Sequence, residues 1–69
     1  MPLALAAAGE ENIIRRIGGS PEVRRRLEDL GFSPGSAVTV IAAMGGNLIV
    51  NVRDSRVAIS REMAGRIMI

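Results

Sequence analysis

Histidine, cysteine and lysine are all missing from this 69-residue chain, which removes most of the side chains that carry protein chemistry. Zinc and other tightly held transition metals want imidazole or thiolate ligands, and the chain offers neither. A site built from carboxylates alone would need them clustered. The candidates are Glu10, Glu11, Glu22, Glu28, Asp29, Asp54 and Glu62, and only Glu10-Glu11 and Glu28-Asp29 are adjacent. Neighbours on a helix point about 100° apart, so adjacency there does not converge on one ion. The hydroxyls of Ser20, Ser33, Ser36, Ser55 and Ser60 have no His or Lys to activate them. All five lie where turns or helix caps are expected, the usual structural use of serine. Gly18-Gly19 ahead of a capped helix resembles a phosphate loop, but the Walker spacing and its lysine are absent. The expectation is a protein with no catalytic residues, no cofactor and no built-in metal site.

The remaining polar chemistry is arginine. All nine bases are Arg, and with seven acids the net charge is only +2. The isoelectric point is high because nothing titrates between the carboxylates and the guanidinium groups, so it is no argument for nucleic acid. Arg24-Arg25-Arg26 looks like a basic patch until it is placed on a helical wheel. With Val23 at 0°, Leu27 and Leu30 fall at about 40° and 340°, and the three arginines at about 100°, 200° and 300°. They fan over the polar face, and Glu28, Asp29 and Glu22 stand one turn from Arg24, Arg25 and Arg26. Such pairs contribute only about 0.2–0.5 kcal/mol each, but they neutralise the face. A nucleic-acid surface would be uncompensated and would interleave stacking aromatics, and the one aromatic here is Phe32. Arg26 borders the apolar stripe, so its stem can pack while its head stays wet. Arg53 and Arg56 flank Asp54 in a hairpin tip, a common place for partner contact.

These side chains must be positioned by a small set of elements. Residues 1–10 read as an arm ending at Gly9, with Leu3 and Leu5 free to pack on the domain. Glu11–Ile17 reads as one strand, closed by Gly18-Gly19. Ser20 caps a helix, Pro21 suits its first position and Glu22 its first turn. Val23, Leu27 and Leu30 form one apolar stripe. Gly31 stops the helix in the left-handed conformation, Phe32 folds back on the last turn, and Pro34-Gly35 turns the chain. The helix is therefore predicted over 20–30.

From Ser36 the period becomes two. Val38, Val40 and Ala42 alternate with Ala37, Thr39 and Ile41. A turn at Met44-Gly45-Gly46-Asn47 leads to Leu48, Val50 and Val52, and a second at Arg53–Arg56 leads to Val57–Ile59. Ser60 caps a single helical turn over Arg61–Ala64, Gly65 releases the chain, and Arg66–Ile69 is a last strand whose Ile67-Met68-Ile69 is a candidate sticky edge for self-association. Five short strands cannot make two independent layers in so short a chain. They can close into a small, strongly bent barrel plugged at one end by the Val23, Leu27 and Leu30 stripe. The fold class is mostly β, with one helix after the first strand and a helical turn before the last. Gly31, Gly35 and Gly46 are the expected structural glycines.

The apolar start, Met1 to Ala8, lacks a basic flank and is cut short by Glu10 and Glu11, so it does not read as a signal peptide. No apolar run approaches the roughly 18 residues that span a bilayer. The absence of Cys fits a reducing compartment. A cytoplasmic protein is expected.

Three stretches together resemble the FeoA family of bacterial ferrous-iron uptake. Val23–Val38 matches the pattern R-x-L-x-x-L-G-F-x-P-G-x-x-V; Gly45–Val52 and Val57–Ile67 follow in order, and Leu3 to Glu10 is similar to the family's opening. The resemblance implies an SH3-like barrel, in agreement with the periodicity. It also implies an accessory to FeoB, the membrane permease with a cytoplasmic G-protein domain, and it carries a family association with transition metals for which this chain supplies no His or Cys. The same domain occurs at the C-terminus of DtxR-like iron regulators, but no helix-turn-helix precedes it here, which favours the stand-alone protein.

The resulting expectation is an interaction module that presents Arg26, Leu30, Phe32, Pro34, Arg53 and Arg56 to the cytoplasmic part of FeoB. Its effect on transport would equal its preference between transporter states. The alternative is a regulatory domain acting on a DtxR-like regulator or a peptide. Proline-rich peptides dock in grooves lined by aromatics, and a single Phe does not make one.

Overall fold

The computed structural model describes residues 1–69. A 3₁₀ turn at Leu3–Leu5 is followed by β1 (Glu11–Ile13), β2 (Arg16–Ile17), α1 (Pro21–Asp29), β3 (Ala37–Met44), β4 (Asn47–Val52), β5 (Ser55–Ser60), α2 (Arg61–Ala64) and β6 (Ile67–Met68). β1, β3, β4 and β5 form one antiparallel sheet in that order, and β2 pairs with β6 in a second. There are thus six strands in two sheets, where five in one closing ladder were expected.

The difference arises in the first strand. A straight strand over 11–17 would send Ile14 and Ile17 to opposite faces, because side chains alternate. Both are buried, so the chain has to change face between them. Ile14 still bonds toward β3, donating to the Ser36 carbonyl at 2.9 Å, while Arg15 already donates to Met68 in the other sheet at 2.7 Å. One continuous segment therefore turns the corner between the sheets.

The core is aliphatic apart from Phe32. Leu3, Ile14, Ile17, Leu27, Phe32, Val38, Val40, Leu48, Val50, Val52, Ile59, Ala64 and Ile67 form one buried cluster. No charged or polar residue is buried among them. From the N-terminal arm, Leu3 enters this core and Leu5 stays exposed.

Local chemistry explains both helices. The Ser20 hydroxyl accepts from the Val23 backbone N–H at 3.3 Å, and Pro21 occupies the first turn, where its missing N–H is harmless. At the other end Phe32 N donates to the Leu27 carbonyl at 3.0 Å and Gly31 N to the Glu28 carbonyl at 2.9 Å. This is a Schellman stop, with Gly31 at φ +104° and the apolar pair Leu27 and Phe32 both in the core. In the same way Ser60 caps α2, accepting from Met63 N at 3.1 Å. The apolar stripe of α1 is used unevenly: Leu27 is buried, Val23 half-buried, and Leu30, the helix C-cap, is 39% exposed.

The terminal strand is not a sticky edge. Met68 pairs with Arg16 on one side and bridges to Pro2 on the other, and Ile69 N donates to the Met1 carbonyl at 2.8 Å. Both flanks of β6 are occupied. No helix is long and apolar enough to cross a membrane.

Candidate interaction surface

The residues singled out by the sequence fall on two faces that adjoin at Arg53. The first is the C-terminal end of α1. Arg26 and Leu30 are one turn apart on the helix, both exposed, and Pro34 is exposed in the loop that follows. The turn between β4 and β5 reaches across to this loop. A Cβ placed on Gly31 would lie 3.6 Å from Arg53 Cδ and 3.7 Å from Val52 Cγ1, so the Arg53 stem covers the helix stop. The Arg53 guanidinium donates from Nη2 to the Ser33 hydroxyl at 3.2 Å, and Ser33 and Ser36 share a 2.9 Å hydrogen bond. Arg26, Leu30, Pro34 and Arg53 thus occupy one end of the molecule, with Arg53 fastening the hairpin tip to the helix.

Phe32 does not belong to this surface. It is 0% exposed and is the largest of the fully buried side chains. The Schellman geometry that makes it follow Gly31 also turns it inward onto Leu27, so burial and presentation to a partner exclude each other here. The arginines of α1 are solvated as expected, but the three expected carboxylate partners form no side-chain hydrogen bond with them. At exposed positions the Coulomb gain does not repay the entropy of holding two long side chains together.

Arg56 lies on the second face, the outer side of the four-stranded sheet. It stands opposite Asn51, which stands opposite Thr39, which stands opposite Glu11. This row was not apparent in the sequence. A shallow groove of about 540 Å³ lies over its Glu11, Thr39 and Asn51 members, lined also by Ser36, Ala37, Arg53 and Asp54. A smaller hollow of about 230 Å³ separates the start of α1 from α2, with Val23 and Met63 as its apolar lining.

The turns place their glycines unequally. Gly35 has φ +91° and Gly45 φ +61°, while Gly46 has no positive φ. The conformation that requires glycine in the β3–β4 turn therefore falls on Gly45 rather than Gly46. Arg53 and Asp54 hold φ of +49° and +63° without being glycine.

No three carboxylates come together anywhere in the molecule, and a chain with no His or Cys supplies no transition-metal centre of the usual kind. The serine hydroxyls at 20 and 60 are occupied as helix caps, and those at 33 and 36 bond each other.

Two layers of short antiparallel strands around one aliphatic core, with a capped helix at one end, define a small SH3-like β-domain. A Stenotrophomonas maltophilia FeoA solved as a zinc complex and described as a procaryotic SH3 domain protein superposes with a TM-score of 0.86 at 26% identity, over 99% of this chain and 87% of that one. The FeoA domain model matches residues 1–69, and the chain belongs to the FeoA family. A Methanocaldococcus jannaschii protein, provisionally named Fe(2+) transport protein A, is 37% identical over 68 residues, 99% of this chain and 83% of that one. The crystal structure of an iron uptake regulatory protein, also an FeoA, is 33% identical with a TM-score of 0.88, covering 96% of this chain and 88% of that one. A manganese-dependent transcriptional repressor shares the fold, with a TM-score of 0.88 at 23% identity over 39% of its length.

Proposed function

We propose that this protein is a non-catalytic cytoplasmic accessory of ferrous-iron uptake that binds the cytoplasmic G-protein region of an FeoB-type transporter through the C-terminal end of α1. Family membership supports the pathway. The observation that carries the surface is Leu30: an apolar helix cap left 39% exposed beside the exposed Arg26 and the Arg53 that is fastened over Gly31. An exposed apolar residue with arginines near it offers a partner apolar area together with the arginine side chains that interfaces favour. The two arginines suit an acidic rim on the partner. Binding regulates transport only to the extent that it prefers one nucleotide state of the partner over another.

The test is co-retention. Tagged protein is exposed to membranes containing the cognate FeoB in nucleotide-free, GDP and GTP-analogue states. Recovery in at least one state, lost on Leu30→Glu while the melting temperature stays unchanged, is the expected result. Absence of recovery in every state sinks the proposal.

A further inference from the structure

The outer face of the four-stranded sheet carries a polarity that the transporter reading does not use. Glu11, Thr39, Asn51 and Arg56 lie in one cross-strand row, one residue from each strand. The row reads carboxylate, hydroxyl, amide, guanidinium. Glu11 and Arg56 are exposed, Thr39 and Asn51 half-buried. Arg53 and Asp54 in the neighbouring turn carry opposite signs and cancel, so the end groups Glu11 and Arg56 set the polarity. Apolar side chains flank the row on both sides. Ile13, 53% exposed, stands opposite Ala37, and beyond the row Ala42, Ile49 and Ala58 are in register, with Ile41 37% exposed beside them.

We propose that this face docks a second copy of the same chain, sheet against sheet, about a two-fold axis parallel to the strands. Such an axis reverses the row and turns it over. Glu11 of each copy then meets Arg56 of the other, and Thr39 meets Asn51. The spacings agree without adjustment because both rows are the same row, the self-complementarity that an isologous interface requires. Along the next row Ile49 meets Ala42 of the second copy, with Ile41 alongside, so apolar surface is covered on the same contact. The groove over Glu11, Thr39 and Asn51 gives the facing side chains room.

Size sets the strength. Four strands at about 4.8 Å and the length of β4 at about 3.4 Å per residue give a face of roughly 400 Å². That is about half of the roughly 800 Å² per partner in a standard interface. The dimer is therefore weak and visible only at high protein concentration, and its charge pairs make it salt-sensitive.

Sedimentation velocity on the full chain, from micromolar to millimolar protein at low and high salt, reads this directly. The mass is expected to rise toward twice the monomer with concentration, and less so at high salt. Glu11→Arg alone and Arg56→Glu alone should each raise the dissociation constant by about ten-fold or more, since each brings like charges together. An equimolar mixture of the two variants should recover wild-type association, because every end pair across the mixed interface is again opposite in sign. Both residues are exposed, and unchanged melting temperatures exclude misfolding as the cause of weakening. A monomer at every concentration overturns the proposal, as does a dimer indifferent to both substitutions or a mixture that stays monomeric. None of these outcomes bears on the transporter reading, which the co-retention assay tests separately.

Discussion

The turn that leads into β4 and the turn that leaves it are both two residues long, yet one is Gly45-Gly46 and the other Arg53-Asp54. In the first, glycine takes the left-handed position at φ +61° and no side chain is presented. Its one tertiary tie is through the backbone: the Gly46 carbonyl accepts from Arg61 N at 2.9 Å, fixing the tip to the start of α2. In the second, both residues are left-handed and neither is glycine, in the type I′ pattern where Asn-Gly or Asp-Gly is the comfortable sequence. Holding a non-glycine residue there costs about 1 kcal/mol or more. The Arg53 side chain, laid over Gly31 and bonded to Ser33, offsets part of the cost. The contrast teaches where this small domain keeps its side chains for contact. A purely structural turn sheds them; the turn beside the helix stop keeps an arginine and an aspartate at a conformational cost.

Substitutions at each level of this contrast should separate the two turns. The largest effect tests the ground that the Arg53 turn is fastened to. Phe32→Ala should destabilise the fold by about 3–5 kcal/mol, because a fully buried aromatic is removed. An unchanged denaturant midpoint would mean that Phe32 is a surface residue after all. Next, Gly31→Val should cost about 2 kcal/mol through backbone strain at φ +104° and loss of the Schellman stop. A Cβ at this position meets its nearest atoms at 3.6 Å, an ordinary contact, so the strain at positive φ applies to any side chain placed there. A variant melting like wild type would break the helix-end assignment.

The two turns should then respond in opposite directions. Gly45→Val should lower stability by about 1–2 kcal/mol, because it forces a β-branched residue into a positive φ. Asp54→Gly should raise it by about 0.5 kcal/mol, because it relieves one. A shift of about 1 kcal/mol moves the melting temperature of a domain this size by about 4–8 °C, so calorimetry resolves both. If Asp54→Gly were destabilising, the turn would hold a contact that its geometry does not show. The smallest effect is expected from Arg53→Ala: a loss of about 0.5 kcal/mol from the covered stem and one exposed hydrogen bond, with a larger loss in co-retention of the transporter. Equal losses in stability and binding would reduce Arg53 to a structural fastener.

Much of the candidate site is local, and local features are legible. Ser20-Pro21 announces the start of α1 and Leu30-Gly31-Phe32 its end, because capping bonds run between residues only a few positions apart. Phe32 is buried rather than on the partner surface, and the signal for this was local too: the helix stop at Gly31 folds it back on the last turn. Its neighbours in sequence, Leu30 and Pro34, are exposed, and only the left-handed Gly31 decides that the chain turns Phe32 inward. The split of the first strand into β1 and β2 was not legible. The residues Ile13-Ile14-Arg15-Arg16-Ile17 suit a continuous strand, and the corner at Ile14-Arg15 exists only because Ser36 and Met68 pull the chain into different sheets.

The aliphatic core, the two capped helices, both tight turns of the meander, the absence of His, Cys and Lys, and the family pattern are all readable from the residues alone. These depend on residue type and short spacing. The sheet's outer row was decided by tertiary structure alone. Counting across the Arg53-Asp54 turn puts Asn51 opposite Arg56, as observed. Counting back from the Gly45-Gly46 turn would put Val52 opposite Thr39. A bulge between Val40 and Ala42 shifts the register by one, so Thr39 meets Asn51 instead. A one-residue shift in a strand exchanges its faces. It also sends Ala42 to the outer side, away from the inner-facing Val38 and Val40 with which its spacing groups it. The bulge answers to the bend of the whole sheet rather than to any short run of residues. Glu11 joins the row through a pairing about 28 residues distant along the chain, which no local pattern encodes.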